Sequence, residues 1–312
     1  MIRVGSVVIS VDAELAWGYH DYDSPPEERL EAARPGWSRL ADLFERYELP
    51  ATWAVVGHLF LESCDRTHAD HPAPDSWFDW ERGGDGSRPE LRFAPELVDD
   101  LVRSEVDHDV GCHTFSHVEF GGSETTRELA RAEVQACVRA ARERGIEPRS
   151  FVFPRNSVGH RDVLADGPIR CYRDGSGATP DGVFQPVRKL SRATLGDEFL
   201  VRPQRDEYGL VNVPRSLYLF GFEDPFRALF EPFLGDPILR MVRLGLDQAE
   251  REDGIFHLSL HPNDLTSERK VERIEAVVST IAHRRRRSGI EVETMRDVAE
   301  RVLDAHPPDV DS

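Results

Sequence analysis

The chain has 312 residues, 57 of them Asp or Glu and 39 Lys or Arg, giving a formal net charge of -18 at pH 7. With 39% hydrophobic and 31% charged residues it holds enough apolar material for a core, which excludes wholesale disorder. No window approaches the ~20 apolar residues of a membrane span, and so acidic a surface repels phosphates at long range, which argues against nucleic acid as the partner.

The opening MIRVGSVVIS enters a strand-like run with no leader-like stretch ahead of it, so the expectation is a cytoplasmic protein. In chain order, Gly5–Val11 reads as a strand, Pro26–Tyr47 as a helix, Ala51–Val56 as a strand and Ala94–Arg103 as a helix. Val106–Cys112 is strand-like, and Glu124–Arg144 is helical, with Ser123 as a cap-like start and Gly145 as the stop. Three strands follow at Ser150–Phe153, Ile169–Tyr172 and Leu210–Val213. The rest reads as helix Pro225–Glu252, strand Gly254–Leu260, helix Ser267–Arg287, strand Ile290–Glu293 and helix Met295–His306. Such alternation predicts a mostly parallel sheet with helices outside, as a barrel or a doubly wound sheet, in one domain over residues 1–306. His68–Pro89 and Arg173–Gln204 break the alternation and read as long loops of the kind that build a substrate face; 307–312 reads as a frayed acidic tail.

Only Lys189 and Lys270 are lysines, a bias that fits either a halophile's acidic proteome or a GC-rich genome. Cys64, Cys112, Cys137 and Cys171 form no C-x-x-C pair, which excludes a zinc-ribbon or thioredoxin-type motif. His283-Arg284-Arg285-Arg286-Arg287 closes a predicted helix, where cations complement the macrodipole. That reading is preferred to contact with anionic lipid, because salt screens such attraction.

Four groups of chemically capable residues lie at strand ends, where sites assemble in α/β folds. Asp12 and Glu14 are two residues apart, a spacing that projects both to one side of an extended chain. Taken alone, the pair is equally readable as turn residues. His113 and His117, at i and i+4, can chelate one metal ion, but Thr-Phe-Ser between them rules out H-E-x-x-H; the plain alternative is two loop histidines. Phe153-Pro154-Arg155-Asn156 offers the donor fork of Arg155 for a carboxylate or a substrate oxygen, or for a mere surface ion pair. His261 sits at a strand mouth before Pro262, and His257 lies deeper as a core histidine. Two histidines and one carboxylate make a three-ligand set that leaves a position open for water.

These motifs, in this order over residues 10–262, resemble the polysaccharide deacetylases with a NodB-homology domain, carbohydrate esterase family 4. The resemblance implies an irregular (β/α) barrel of seven or eight strands. It casts Asp12 as catalytic base, Glu14, His113 and His117 as metal ligands, Arg155 as the arginine that orients Asp12, and His261 as catalytic acid. Ser-Val-Asp-Ala-Glu is a shifted D-x-E variant of the family's first motif, Pro-Arg inverts its Arg-Pro order, and Asp174 is a weak candidate for the fourth motif. One divalent ion is implied, Zn²⁺ before Co²⁺, Ni²⁺ or Fe²⁺. The implied substrate is an N-acetylated (or O-acetylated) sugar, on a nucleotide or lipid carrier if the reaction is intracellular. Trp17, by stacking, His58 and Asn156 are the substrate-binding candidates. The competing readings are an allantoinase-like amidohydrolase on the same scaffold and a carbohydrate-binding pseudoenzyme.

Overall fold

The computed structural model describes residues 5–64, 71–74, 76–78, 88–175, 198–220 and 236–305. Ten strands form one sheet: β1 (Ser6–Ala13), β2 (Thr52–Val55), β3 (Asp109–Cys112), β4 (Ser150–Val152), β5 (Cys171–Arg173), β6 (Gln204–Arg205), β7 (Val211–Asn212), β8 (Leu217–Tyr218), β9 (Ile255–Leu260) and β10 (Glu291–Glu293). The helices are α1 (Glu27–Tyr47), α2 (Pro95–Arg103), α3 (Arg127–Glu143), α4 (Arg161–Ala165), α5 (Pro237–Ala249), α6 (Glu268–Ser288) and α7 (Met295–Ala305). The spatial order is β6-β7-β5-β4-β3-β2-β1-β9-β8, with β10 beside the first half of β1. Every pairing is parallel except β6 with β7. Parallel strands bring their C-terminal ends to one rim, so motifs far apart in the chain can meet there. The result is a curled, parallel-rich half-barrel, the irregular (β/α) barrel expected, with β6 and β8 as edges among the described residues.

The two-residue period of β1 explains its faces. Val7, Ile9, Val11 and Ala13 enter the large core shared with the helices. Val8 turns to the other face, where Ala54, Val152, Cys171 and Val211 meet Met295, Val298 and Ala299 of α7. Ser10 and Asp12 continue that second face toward the rim. In the register Val8–His257 and Ser10–Ser259, β9 sends its polar residues the same way. Apolar residues therefore plug the lower half of the concave face, and polar residues occupy the upper half.

Each predicted strand and helix is present, with shifted ends. Helix α3 is capped by Thr126, whose side chain accepts from the Leu129 N–H at 3.2 Å, and not by Ser123. A cap acts on the first turn, and Ser123 lies ahead of it. Gly145, at φ 74°, follows the helix as expected. Helix α5 begins at Pro237 rather than Pro225, where Asp236 accepts from the N–H groups of Ile238 and Leu239. Residues 221–235, most of the two predicted loops and the tail 307–312 lie outside the described residues. Strands β6 and β8, two residues each, and the five-residue α4 were not predicted; elements so short carry no periodic signal. In the basic run, Arg284 pairs with Asp247 and Glu250 and Arg285 donates to the Glu48 carbonyl, which fits its structural reading. No helix of the described residues is long and apolar enough to cross a membrane.

Candidate active site

At the rim, Glu14 ends β1 and His113 and His117 lie in the loop after β3. One ligand atom from each comes within 4.8 Å of the others, and all three residues are buried. Glu14 Oε2 is 3.0 Å from His117 Nε2 and 3.5 Å from His113 Nε2. His113 Nδ1 donates to the Val152 carbonyl at 2.8 Å, which fixes the tautomer and leaves Nε2 as a bare lone pair, buried and without a hydrogen-bond partner. Burial pushes the His117 pKa down and keeps that ring neutral. Burial alone would raise the Glu14 carboxyl, but the charge of His261 and the hydrogen bond from His117 hold it well below the usual range. Gly18 lies against the Glu14 carboxylate so closely that a Cβ there would overlap it. Two imidazoles, one with an orphaned Nε2, converging on an ionised carboxylate suit a divalent cation.

The loop that carries the histidines is strained. Thr114 and His117 have φ of 57° and 65°, and Leu15, Arg155 and Asn156 at neighbouring strand ends are also positive. A β-branched residue rarely adopts that conformation, and strain of this kind, about 1–3 kcal/mol per residue, persists only where surroundings enforce it. Glu133 of α3 supplies the enforcement. Its fully buried carboxylate accepts the N–H groups of Phe115 and Ser116 at 2.8 Å and the Ser116 hydroxyl at 2.6 Å. His71 Nε2 adds a fourth contact at 3.1 Å.

Beside the donor cluster, Asp12 meets Arg173 at the end of β5 in a bidentate pair, 2.7 Å to Oδ1 and 2.6 Å to Oδ2. Burial raises the Asp12 carboxyl, yet the Arg173 guanidinium, helped by His261, outweighs it and holds the group far below the usual range. Arg173 Nη1 also donates to Ser10 Oγ at 2.8 Å, and the Ser10 hydroxyl lies 2.9 Å from His257 Nε2. His257 Nδ1 faces the carbonyls of Val213 and Pro214. Burial drives its pKa down to about 3, so it is the neutral core histidine expected.

His261 Nε2 lies 3.5 Å from Asp12 Oδ2 and 3.9 Å from Glu14 Oε1. Its Nδ1 faces Asp264 Oδ2 at 3.4 Å and the Tyr218 hydroxyl at 3.2 Å. Asp264 is fully buried and also receives Tyr218 Oη, Arg29 Nη1 and the His261 N–H. Burial opposes the charged imidazole, but Glu14 and Asp264 prevail and raise its pKa to about 9. His261 is thus protonated at neutral pH, with its Nε2–H toward the cluster.

Three sequence expectations are corrected. Arg155 does not hold Asp12: its fork is filled by Asp21 at 2.5 and 2.8 Å and Glu119 at 2.7 Å. Its positive φ turns it to the rim, where it ties the segment after Glu14 to the segment after His117. Trp17 offers no face to a sugar, because it is fully buried, with one face stacked on His58 at 4.3 Å and the guanidinium of Arg92 over the ring. His58 offers no exposed face to a substrate, since it is fully buried between Trp17 and Phe115. Asn156 lies in the turn after β4, its Oδ1 buried without a hydrogen-bond partner, and Asp174 accepts from Asn212 Nδ2. Arg173, Tyr218, Asp264 and Glu133 were missed. Two had a readable signal: Arg173 directly follows the predicted strand Ile169–Tyr172, and Asp264 follows His261 by three residues.

Residues 22–165 match the family model for polysaccharide deacetylase. Over this segment the chain is similar to the polysaccharide deacetylase family. The segment includes His113, His117 and Arg155, whereas Asp12, Glu14, Arg173 and His261 lie outside it. Similar solved structures include one from Mycobacterium smegmatis described as a polysaccharide deacetylase. It has TM-score 0.62 and 14% identity, covering 97% of this chain and 91% of that one. Another so described, from Pseudomonas aeruginosa PAO1, has TM-score 0.57 and 15% identity over 97% and 91% of the two chains. Puue allantoinase has TM-score 0.55 and 12% identity over 97% and 90%. At these identities the likeness establishes the shared NodB-type fold alone. No curated protein matches the sequence.

Proposed function

We propose that the chain is a metal-dependent hydrolase that removes the acetyl group from an N-acetylated sugar. The observation that carries this reading is the Glu14–His113–His117 donor cluster with an ionised carboxylate, Asp12, and a cationic imidazole, His261, next to it. Glu14, His113 and His117 would hold the cation, which supplies Lewis acidity to polarise a carbonyl and acidify water.

Arg173 holds the Asp12 carboxyl well below the usual range, so Asp12 is deprotonated at neutral pH. It is placed to take the proton of the attacking water, with a lone pair left on each oxygen beside the Arg173 bonds. His261 carries the complementary proton. Asp264 and Tyr218 fix the ring through Nδ1, so Nε2–H can protonate the departing amine. An acid and a base with pKa values pushed apart by environment are the pattern expected of paired proton transfer. Asn156, with its unpaired Oδ1, is the remaining substrate-binding candidate.

Acetate release from N-acetyl sugars, with cyclic ureides assayed in parallel, tests the reading. Asp12→Asn should keep the metal and lose about 10²–10⁴ in rate, while His113→Ala should lose metal and rate together. Full activity in either variant, or turnover of ureides alone, overturns it.

A further inference from the structure

Most guanidinium groups around the centre are committed to carboxylates. Arg173 is taken by Asp12, Arg155 by Asp21 and Glu119, and Arg29 by Asp264. Arg215, between β7 and β8, differs. Its Nη1 reaches only the Ser259 hydroxyl at 3.3 Å, and the group lies over the Tyr218 ring at 5.6 Å. Among the described residues no carboxylate comes within ion-pairing distance of it. Burial, reinforced by the neighbouring Arg173 charge, pushes its pKa down to about 10, and the more distant Asp12 offsets only part of this.

Among the described residues this partly buried cation has no counter-ion, in a chain with 57 acidic residues. Withdrawing a guanidinium from water without an anion is unfavourable, and a nearby Asp or Glu would relieve the cost. Its place is also specific. Ser259 faces Ser10 across the β1–β9 pairing, and Tyr218 holds both Asp264 and His261 through its hydroxyl. Arg215 therefore borders the same rim as the acid that would meet the leaving amine, and it is partly open to solvent. Its planar fork matches a carboxylate or phosphate.

We propose that Arg215 receives an oxyanion carried by the acetylated sugar, a carboxylate or a phosphate, and so makes the enzyme select anionic over neutral substrates. This rests on the deacetylase reading above. The test compares kcat/KM for N-acetylmuramic acid, N-acetylglucosamine 1-phosphate and neutral N-acetylglucosamine in wild type, Arg215→Met and Arg215→Lys. A charge-assisted contact predicts that one anionic sugar is favoured over the neutral one by about 10- to 100-fold in wild type. That preference should collapse in Arg215→Met and return in part in Arg215→Lys, and whichever sugar shows it distinguishes carboxylate from phosphate. The ratio is read within one preparation, so it is independent of the folded fraction. An unchanged ratio in Arg215→Met, or a wild-type preference for the neutral sugar, overturns the proposal. If none of the three sugars is hydrolysed, the deacetylase reading fails instead. Calorimetric titration with the two anionic sugars then decides the role of Arg215: weaker binding in Arg215→Met by about tenfold or more supports it, and equal or undetectable binding in wild type and variant overturns it.

Discussion

Replacing Arg173 with Met removes the cation that holds Asp12 while keeping most of the apolar stem. The side chains are 1% and 7% exposed, so solvent screens the pair little. The variant strands a buried carboxylate that has lost two donors, and it also frees Ser10 Oγ from the Nη1 bond. Breaking one side of a buried pair costs about 3–5 kcal/mol, a large share of the ~5–15 kcal/mol that stabilises a typical domain. The pH dependence has a definite sign. In the wild type the Asp12 pKa is lowered, so its contribution is complete above the unfolded value near 3.8 and is lost as the pH falls below that. Without Arg173, burial is no longer outweighed and the carboxyl moves up. Protonation then relieves the variant on acidification, so the gap between the two proteins is widest at neutral pH and narrows toward pH ~4. Urea unfolding of chelator-stripped protein at several pH values measures this, with Asp12→Asn combined with Arg173→Met as the third protein. The double variant should recover part of the loss, because it removes the stranded charge. A loss under about 1 kcal/mol at neutral pH, the value of an exposed pair, would refute the reasoning, as would a double variant no more stable than Arg173→Met.

Two further outcomes follow from residues behind the site. Glu133→Gln turns one acceptor oxygen of the loop clamp into a donor facing N–H or O–H groups, and metal affinity should fall about 10–100-fold by chelator competition; unchanged affinity would show that the His113–His117 loop holds itself. In metal-free protein, the His261 ring should titrate at about 9 by NMR, and Asp264→Asn should move that midpoint down. Because this folded-state pKa is raised, its stabilisation is complete below the unfolded value of 6.5 and lost as pH rises through about 9. Asp264→Asn should therefore flatten the alkaline loss of stability.

Much of the fold was legible because periodicity is local. The run Val7-Val8-Ile9 with Ser10 and Asp12 already states which residues share a face, and the β/α alternation implies parallel strands with a common rim. Strand β6 and β8 escaped notice because two residues cannot show a period. The donor cluster was legible for a related reason: Glu14 and His113 directly follow strands whose direction the alternation fixes, and His117 lies in the loop that His113 begins. Arg155 illustrates the opposite case. It too lies at a strand end, but a long side chain with five donors settles where counter-charge is nearest, and that was Asp21 and Glu119.

The sequence by itself determined the strand ends, the order in which they deliver an acid pair, two histidines, an arginine and a late histidine, and hence the kind of chemistry the rim can host. Only the tertiary structure decided who partners whom: Arg173 with Asp12, Asp264 and Tyr218 with His261, Glu133 with the histidine loop, and, among the described residues, no carboxylate with Arg215. The reason is physical. Backbone periodicity is written in neighbouring residues, whereas buried hydrogen bonds can join side chains 247 positions apart, as between Ser10 and His257. Their choice depends on the curl of the sheet, which no local stretch of chain encodes.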